Sequence, residues 1–329
     1  AAGHPLRGDI RKGFTYYDCR VDDARLVVGN AMGAAQLGAR IMTRTKLVAA
    51  QRQNGEWRAQ LANRLDDSKI EVRARALVNA AGPWVEGVLK QLETGAPGSP
   101  RPELRTILVK GSHIVVPRLH EGDFAYILQH TDRRVIFVIP YEGAYSLIGT
   151  TDVAFDGDPS TAAISAEEIH YLCDAVGAYF TQPVTPDDVR WSFAGVRPLF
   201  GDDGDDPSAV TRDYVLDLDS GEDGAAPLLS VLGGKITTYR RLAESAMDSL
   251  APYFPDLKGS WTASAPLPGG DLGAGGIAGC IAGLADDYPD MPCDLLAGLA
   301  HRHGSVAREV LGGAKTATDL GRDFGAGLT

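Results

Sequence analysis

Four short segments carry side chains that could handle an anion or a proton. Lys110-Gly111-Ser112-His113 places an imidazole between two apolar stretches. Histidine changes charge near neutral pH, so His113 suits a general base or a hydrogen bond to a substrate oxygen. A lone strand histidine is more often a satisfied core residue. Gly195-Val196-Arg197-Pro198-Leu199 sets Arg197 between apolar neighbours and ahead of a proline, the context of a directed, partly buried guanidinium. Thr211-Arg212-Asp213-Tyr214 brings a second arginine, Arg212, with Asp213 beside it as a ready partner. The planar guanidinium fork binds phosphate or carboxylate through paired hydrogen bonds. In Leu232-Gly233-Gly234-Lys235-Ile236-Thr237-Thr238 a strand runs into two glycines and then a helix start. The N–H groups and dipole there favour an anion. Lys235 disfavours the helix itself, so a bound anion would explain it; a surface lysine beside a turn is the plain alternative.

A fifth segment, Asn79-Ala80-Ala81-Gly82-Pro83-Trp84, ends a strand in small residues. Missing side chains let a ligand or another backbone come close, and the N–H groups of a following helix suit an anionic or dinucleotide ligand. Simple strand–helix packing at a tight turn fits it too. Gly149-Thr150-Thr151-Asp152 reads as a strand end whose aspartate caps its own loop. Other patterns fail on spacing. Gly233-Gly234-Lys235 lacks the upstream glycine of a P-loop. The carboxylates of 201–206 lack calcium-loop spacing, and His301 and His303 do not share a helix face, so no metal site is expected. Gly273-Ala274-Gly275-Gly276-Ile277-Ala278 matches G-x-G-x-x-A but follows prolines and glycines rather than a buried strand, so it reads as linker.

These segments need elements to hold them. Asp22 N-caps a helix over 23–37, closed by Gly38. A strand from Arg40 towards Ala50, the Asn54-Gly55 hairpin turn, a return strand over 57–61 and a strand over 70–72 follow. A strand over 74–79 leads into a helix over 84–92, and 94–102 reads as linker. Strands are then expected over 106–109, 113–117, 125–128, 134–140 and 145–150. A helix over 165–180 opens with the Ser165/Glu168 capping box. Strands over 189–192, 214–218 and 228–231 precede a long helix over 237–253, a second linker at 266–270 and short helices over 284–311. Segments distant in sequence must close one α/β layer around an inserted antiparallel sheet.

Composition sets the outer bounds. Lys plus Arg total 32 and Asp plus Glu 43, a net charge of −11 that argues against a phosphate-backbone binder, so no nucleic-acid partner is expected. At 329 residues the prior is about two domains. Glycine is abundant, 39 residues, which calls for many tight turns. No apolar run reaches the roughly 18 residues of a membrane-spanning helix. Cys19, Cys173, Cys280 and Cys293 share no close spacing, which argues for a reducing compartment rather than a disulfide framework.

Taken in order, the motifs resemble the FAD-dependent glycerol-3-phosphate dehydrogenase family of the D-amino-acid-oxidase-like flavoproteins. The resemblance is carried by Tyr17-Asp18-Cys19 with 21–26, Thr43-Arg44-Thr45, NAAGPW (79–84), KGSHIVVP (110–117), FVIPY (137–141), IGTTD (148–152), GVRPL (195–199), TRDY (211–214) and LGGKITTYR (232–240). It implies an α/β (α+β) protein: a partial Rossmann-like FAD-binding domain (1–94 and 228–265), an inserted antiparallel-sheet substrate domain (103–227) and a small helical segment (271–329). It implies FAD beside Thr43, Arg44, Ala81, Gly82, Trp84, Gly233, Gly234, Lys235, Thr237 and Thr238. It implies glycerol 3-phosphate bound by Arg197, Arg212, Lys235 and His113, with His113, Arg197 and Lys235 in the catalytic set. Electrons would pass to quinone, or to oxygen in a related oxidase; a glycerol-phosphate-binding remnant is a third reading. The implied location is cytoplasmic, or peripheral on the cytoplasmic face of the inner membrane, and a homodimer is left open. The family's strand–GxGxxG–helix start is not found in this sequence, so the chain reads as an internal fragment expected to bind FAD poorly alone.

Overall fold

The computed structural model describes residues 3–92, 106–201, 213–220, 224–325 and 328. Helix α1 (Asp23–Gln36) begins where Asp22 accepts a hydrogen bond from the Arg25 N–H, and Gly38 takes the left-handed φ of 95° just beyond its end. Strand β1 (Thr45–Gln53) starts five residues later than the sequence reading, because 43–44 form a turn with Arg44 at φ 54°. The Asn54-Gly55 turn joins it to β2 (Glu56–Asn63), and β3 (Lys69–Ala74) completes a three-stranded meander. The strand expected over 74–79 is divided: the chain bends at Arg75 and changes sheet, leaving β4 (Leu77–Asn79). A single 3₁₀ turn, Gly82–Trp84, precedes α2 (Val85–Gln91).

The strands expected at 106–109 and 113–117 are one strand, β5 (Thr106–Pro117), running straight through Lys110-Gly111-Ser112. It continues because alternate residues point to opposite faces, so Lys110 and Ser112 find polar partners behind the sheet. β6 (Tyr126–Gln129), β7 (Val135–Tyr141), β8 (Tyr145–Gly149) and the two-residue β9 (Val153–Ala154) follow. Helix α3 (Ala166–Gly177) opens with the Ser165/Glu168 capping box in both directions. β10 (Trp191–Phe200) is far longer than the 189–192 expected. Gly195 and Pro198 lie within it, and all ten residues pair with β5. The six-stranded sheet has the order β10-β5-β8-β7-β6, with β9 also on β5. Ile114, Val116, Ile136, Val138 and Ile148 pack against Leu172 and Val176 of α3 to form its core.

β11 (Tyr214–Asp219) and β12 (Leu228–Gly233) form a hairpin, and β12 pairs in parallel with β4, placing Leu228–Ser230 beside Leu77–Asn79. Segments distant in sequence thus share one three-stranded sheet. The buried Trp57 fixes the hairpin to the meander, its indole N–H donating to Pro227 O at 2.9 Å. The long helix expected over 237–253 is in three parts: a 3₁₀ turn Ile236–Thr238, α4 (Tyr239–Leu250) and a 3₁₀ turn Ala251–Tyr253, where Pro252 cannot extend an α-helical ladder. α5 (Gly276–Asp287), α6 (Cys293–His303), α7 (Ala307–Leu311) and a 3₁₀ turn Ala317–Leu320 follow. The segment read as linker at 273–278 is therefore irregular only to Gly275; Gly276–Ala278 are the first turn of α5.

Two compact units emerge: 1–16 with 46–255, and 17–45 with 256–329. In the second, Arg25 of α1 donates to Arg302 O at 3.1 Å, and Leu267 and Pro268 pack on Gly29 and Gly33 of α1.

Candidate active site

In the first unit, pairing registers carry one row of residues across five strands: Ile127, Phe137, Gly149, His113 and Phe193. Their neighbours in sequence, Ile114, Ile136, Val138 and Ile148, point into the core on α3, so this row lies on the opposite face. The His113 ring stacks on Phe193 with centroids 4.9 Å apart and planes 6° from parallel. A Cβ at Gly149 would overlap the imidazole, so only glycine leaves room for it. His113 Nδ1 is buried and has no partner among the described residues. Burial, and secondarily the Arg197 charge, push the His113 pKa below its ordinary 6.5. The imidazole is thus neutral at neutral pH and able to accept a proton.

Arg197 lies on the same face. A Cβ at Gly111, two residues before His113, would sit 3.0 Å from its Nη2. Its Nη1 donates to Asp152 Oδ1 at 2.6 Å and its Nη2 to Thr150 Oγ1 at 3.3 Å. Asp152 therefore does not cap its own loop as the sequence reading had it; its carboxylate is drawn to the guanidinium across the sheet. The Arg197 side chain keeps 42% of its surface open, so its fork is anchored from one side and accessible from another. Arg212 lies outside the described residues.

The remaining residues gather where β4 and β12 end. The buried Asn79 side chain donates to Val85 O at 2.9 Å, which fixes the turn into α2. Ala81 and Gly82 follow; Gly82 has φ 56° and open space where a Cβ would stand. Trp84 is half exposed, its indole N–H reaching Asp158 at 3.4 Å. At the end of β12 the reason for glycine differs. A Cβ on Gly233 would meet Asp213 O at 2.9 Å and one on Gly234 would meet Leu242 at 2.9 Å, so the chain's own packing explains both. The same Gly233 position is 4.0 Å from Pro198 O, next to Arg197, and β10 also packs against the Gly82–Trp84 turn. Lys235 is exposed with no ion pair to the described residues, its carbonyl accepting from the Thr238 hydroxyl; Thr237 is exposed beside it. His113, Arg197, Gly82, Gly233 and Lys235 thus belong to one unit. Thr43 and Arg44 fall in the other, where the Thr45 hydroxyl donates to Thr43 O.

The family model described as FAD dependent oxidoreductase (DAO) matches residues 1–240. This chain belongs to the FAD-dependent oxidoreductase family. Within it, the chain is 48% identical over 325 residues to a glycerol-3-phosphate dehydrogenase of Pseudomonas aeruginosa, covering 98% of this chain and 62% of that protein. It is also 48% identical over 323 residues to a D-erythritol 1-phosphate dehydrogenase of Brucella abortus, covering 98% and 63%. Among solved structures, the FAD complex of the Bacillus halodurans glycerol-3-phosphate dehydrogenase matches with a TM-score of 0.74 at 29% identity, over 89% of this chain and 56% of that one. The chain spans about three-fifths of the length of the curated relatives it matches.

The residues present fit the ring-facing side of a flavin. The His113 row offers flat apolar surface on Phe137 and Phe193, each 37% exposed, beside a buried ring nitrogen without a partner among the described residues. Gly82 leaves space for close approach. Sequence reasoning missed Phe193, Thr150 and the link from Asp152 to Arg197. Only the antiparallel register, which sets IGTTD and GVRPL beside KGSH, reveals them. Among the described residues, no helix is long and apolar enough to cross a membrane.

Proposed function

We propose that the protein carrying this chain oxidises sn-glycerol 3-phosphate to dihydroxyacetone phosphate and passes the electrons to quinone from a peripheral position on the cytoplasmic face of the inner membrane. The observation that supports it is the pairing of a neutral, part-buried His113 with a directed Arg197 on one open sheet face. FAD, when bound, supplies the hydride acceptor. Within the first unit it would be held by Ala81, Gly82, Trp84, Gly233, Gly234, Lys235, Thr237 and Thr238. Arg197 takes the substrate phosphate, with Arg212 as its second cation, through charge-assisted paired hydrogen bonds. His113 takes the proton from the C2 hydroxyl as C2 loses hydride. Lys235 would add fixed positive charge beside the cofactor or the substrate phosphate. Residues 1–94 and 228–265 form the cofactor side, 103–227 the substrate side and 271–329 the helical segment, and a homodimer is the proposed assembly.

A second reading replaces the substrate with D-erythritol 1-phosphate. It is favoured by equal identity, 48%, to relatives named for each activity. Both substrates are short polyols ending in a phosphate, so the same arginine and base serve either. The deciding experiment adds each phosphate anaerobically to the full-length, flavin-loaded protein and follows the flavin absorbance. Bleaching by glycerol 3-phosphate at the lower concentration, followed by reoxidation with a soluble quinone and without peroxide in air, is expected. No bleaching by either compound would remove the proposal.

A further inference from the structure

Behind the open face lies a carboxylate that the proposed chemistry does not use. Glu168, in the first turn of α3, is buried, yet four donors converge on it. Its Oε1 accepts from the Ser112 and Thr151 hydroxyls, each at 2.8 Å. Its Oε2 accepts from the Ser165 N–H at 2.8 Å and pairs with Lys110 Nζ at 2.9 Å. The Ser112 N–H donates in turn to Thr151 Oγ1 at 2.9 Å, closing a small ring. Burial alone would raise the carboxyl pKa, but Lys110 and the Ser165, Thr151 and Ser112 donors outweigh it and hold the group ionised.

The partners are not scattered. Ser112 directly precedes His113 in β5. Thr151 lies between Thr150 and Asp152, the two residues that hold Arg197. Lys110 precedes Gly111, over which the Arg197 guanidinium sits. One carboxylate therefore grips the backbone beside the base and the backbone beside both anchors of the arginine. We propose that Glu168 is a positioning residue that fixes the spacing between His113 and Arg197, and so aligns the substrate's carbinol with its phosphate. This rests on the roles proposed above for those two residues. A capping glutamate alone would need only its bond to the Ser165 N–H; the contacts to Ser112, Thr151 and Lys110 do nothing for the helix end.

The test uses the full-length, flavin-loaded protein and glycerol 3-phosphate. Glu168→Gln keeps the size but offers one acceptor oxygen in place of two, so part of the donor set loses its partner. Thr151→Val cuts the same ring from the other side and serves if Glu168→Gln does not fold. The expected result is a fall in kcat per bound flavin of about tenfold to a hundredfold for Glu168→Gln, the scale of a small misplacement of reacting groups. A smaller fall in the same direction is expected for Thr151→Val, with flavin content retained in both. The KM penalty of Arg197→Ala should also shrink in the Glu168→Gln background, since an arginine already misplaced has less to lose. A merely structural role would lower thermal stability and leave kcat per flavin and KM within twofold of the parent in the folded variants. That result, or strict additivity with Arg197→Ala, overturns the proposal while leaving the function intact. Full activity in both His113→Gln and Arg197→Ala would instead overturn the roles themselves, and this proposal with them.

Discussion

On the face of the six-stranded sheet that packs on α3, the polar groups of Ser112, Thr151 and Glu168 satisfy one another inside an aliphatic core. One residue along the same strand, on the other face, His113 keeps a buried Nδ1 without a partner among the described residues, and Phe137 and Phe193 keep more than a third of their surface open. Alternation along β5 alone divides matched from unmatched. Leaving a buried polar atom unpaired costs about 1–3 kcal/mol. On the open face the His113 nitrogen is therefore left for a ligand's hydrogen bond, whereas Ser112, Thr151 and Glu168 have none to offer. The β12 end differs again: its glycines are filled by the chain's own atoms, so its contribution to a site is backbone shape and the Lys235 charge.

The sharpest way to break the contrast is to remove the base. His113→Gln in the full-length, flavin-loaded protein should lower kcat by about 10²- to 10⁴-fold, the usual worth of general base catalysis, while the midpoint of thermal unfolding changes little. A kcat within a few fold of the parent would return His113 to the role of a core histidine. The back face should respond the other way. Leu172 is fully buried in the α3 core, and Leu172→Ala should cost about 2–5 kcal/mol of stability in denaturant unfolding, with KM for the substrate unchanged. A raised KM without lost stability would show that the two faces are not separable in this way.

What could be read from the chain in advance follows the range of the interaction. Asp22 on Arg25, the Asn54-Gly55 turn and the Ser165/Glu168 box are each settled within four residues, and each stands where the sequence puts it. β5 looks broken because its polar residues are judged without α3, which lies about 56 positions on and supplies Glu168. β10 looks short because Gly195 and Pro198 are weak strand formers, and pairing along all of β5 overrides them. At the candidate site, the residue types were legible and their partners were not. Arg197 announces a directed guanidinium through its neighbours, but Asp152 stands 45 residues away and is joined to it only by the register of three strands.

Next in size is the arginine. Arg197→Ala removes a charge-assisted anchor worth about 1.5–3 kcal/mol, so KM for glycerol 3-phosphate should rise by roughly ten- to a hundredfold, with kcat less affected. An unchanged KM would take Arg197 out of the phosphate site and leave it as the structural partner of Asp152. Arg197→Lys should recover only part of the loss, because a point charge cannot present two parallel donors.

The smallest effect is in the pH profile, and it joins the two residues. Burial first and the Arg197 charge second hold His113 below its ordinary pKa of 6.5. Because the neutral form is the base, the acid limb of kcat/KM should lie below 6.5. Removing the cation with Arg197→Met leaves the burial in place, so the limb should move up towards 6.5 without passing it. The same sign governs stability. The unfolded chain takes up the proton first, so this histidine leaves stability undiminished above 6.5 and erodes it as pH falls below that value, less steeply in Arg197→Met. A limb that stays put in Arg197→Met and disappears in His113→Gln would mean that burial alone tunes the base. The open face would then owe its chemistry to the core beneath it rather than to the charge beside it.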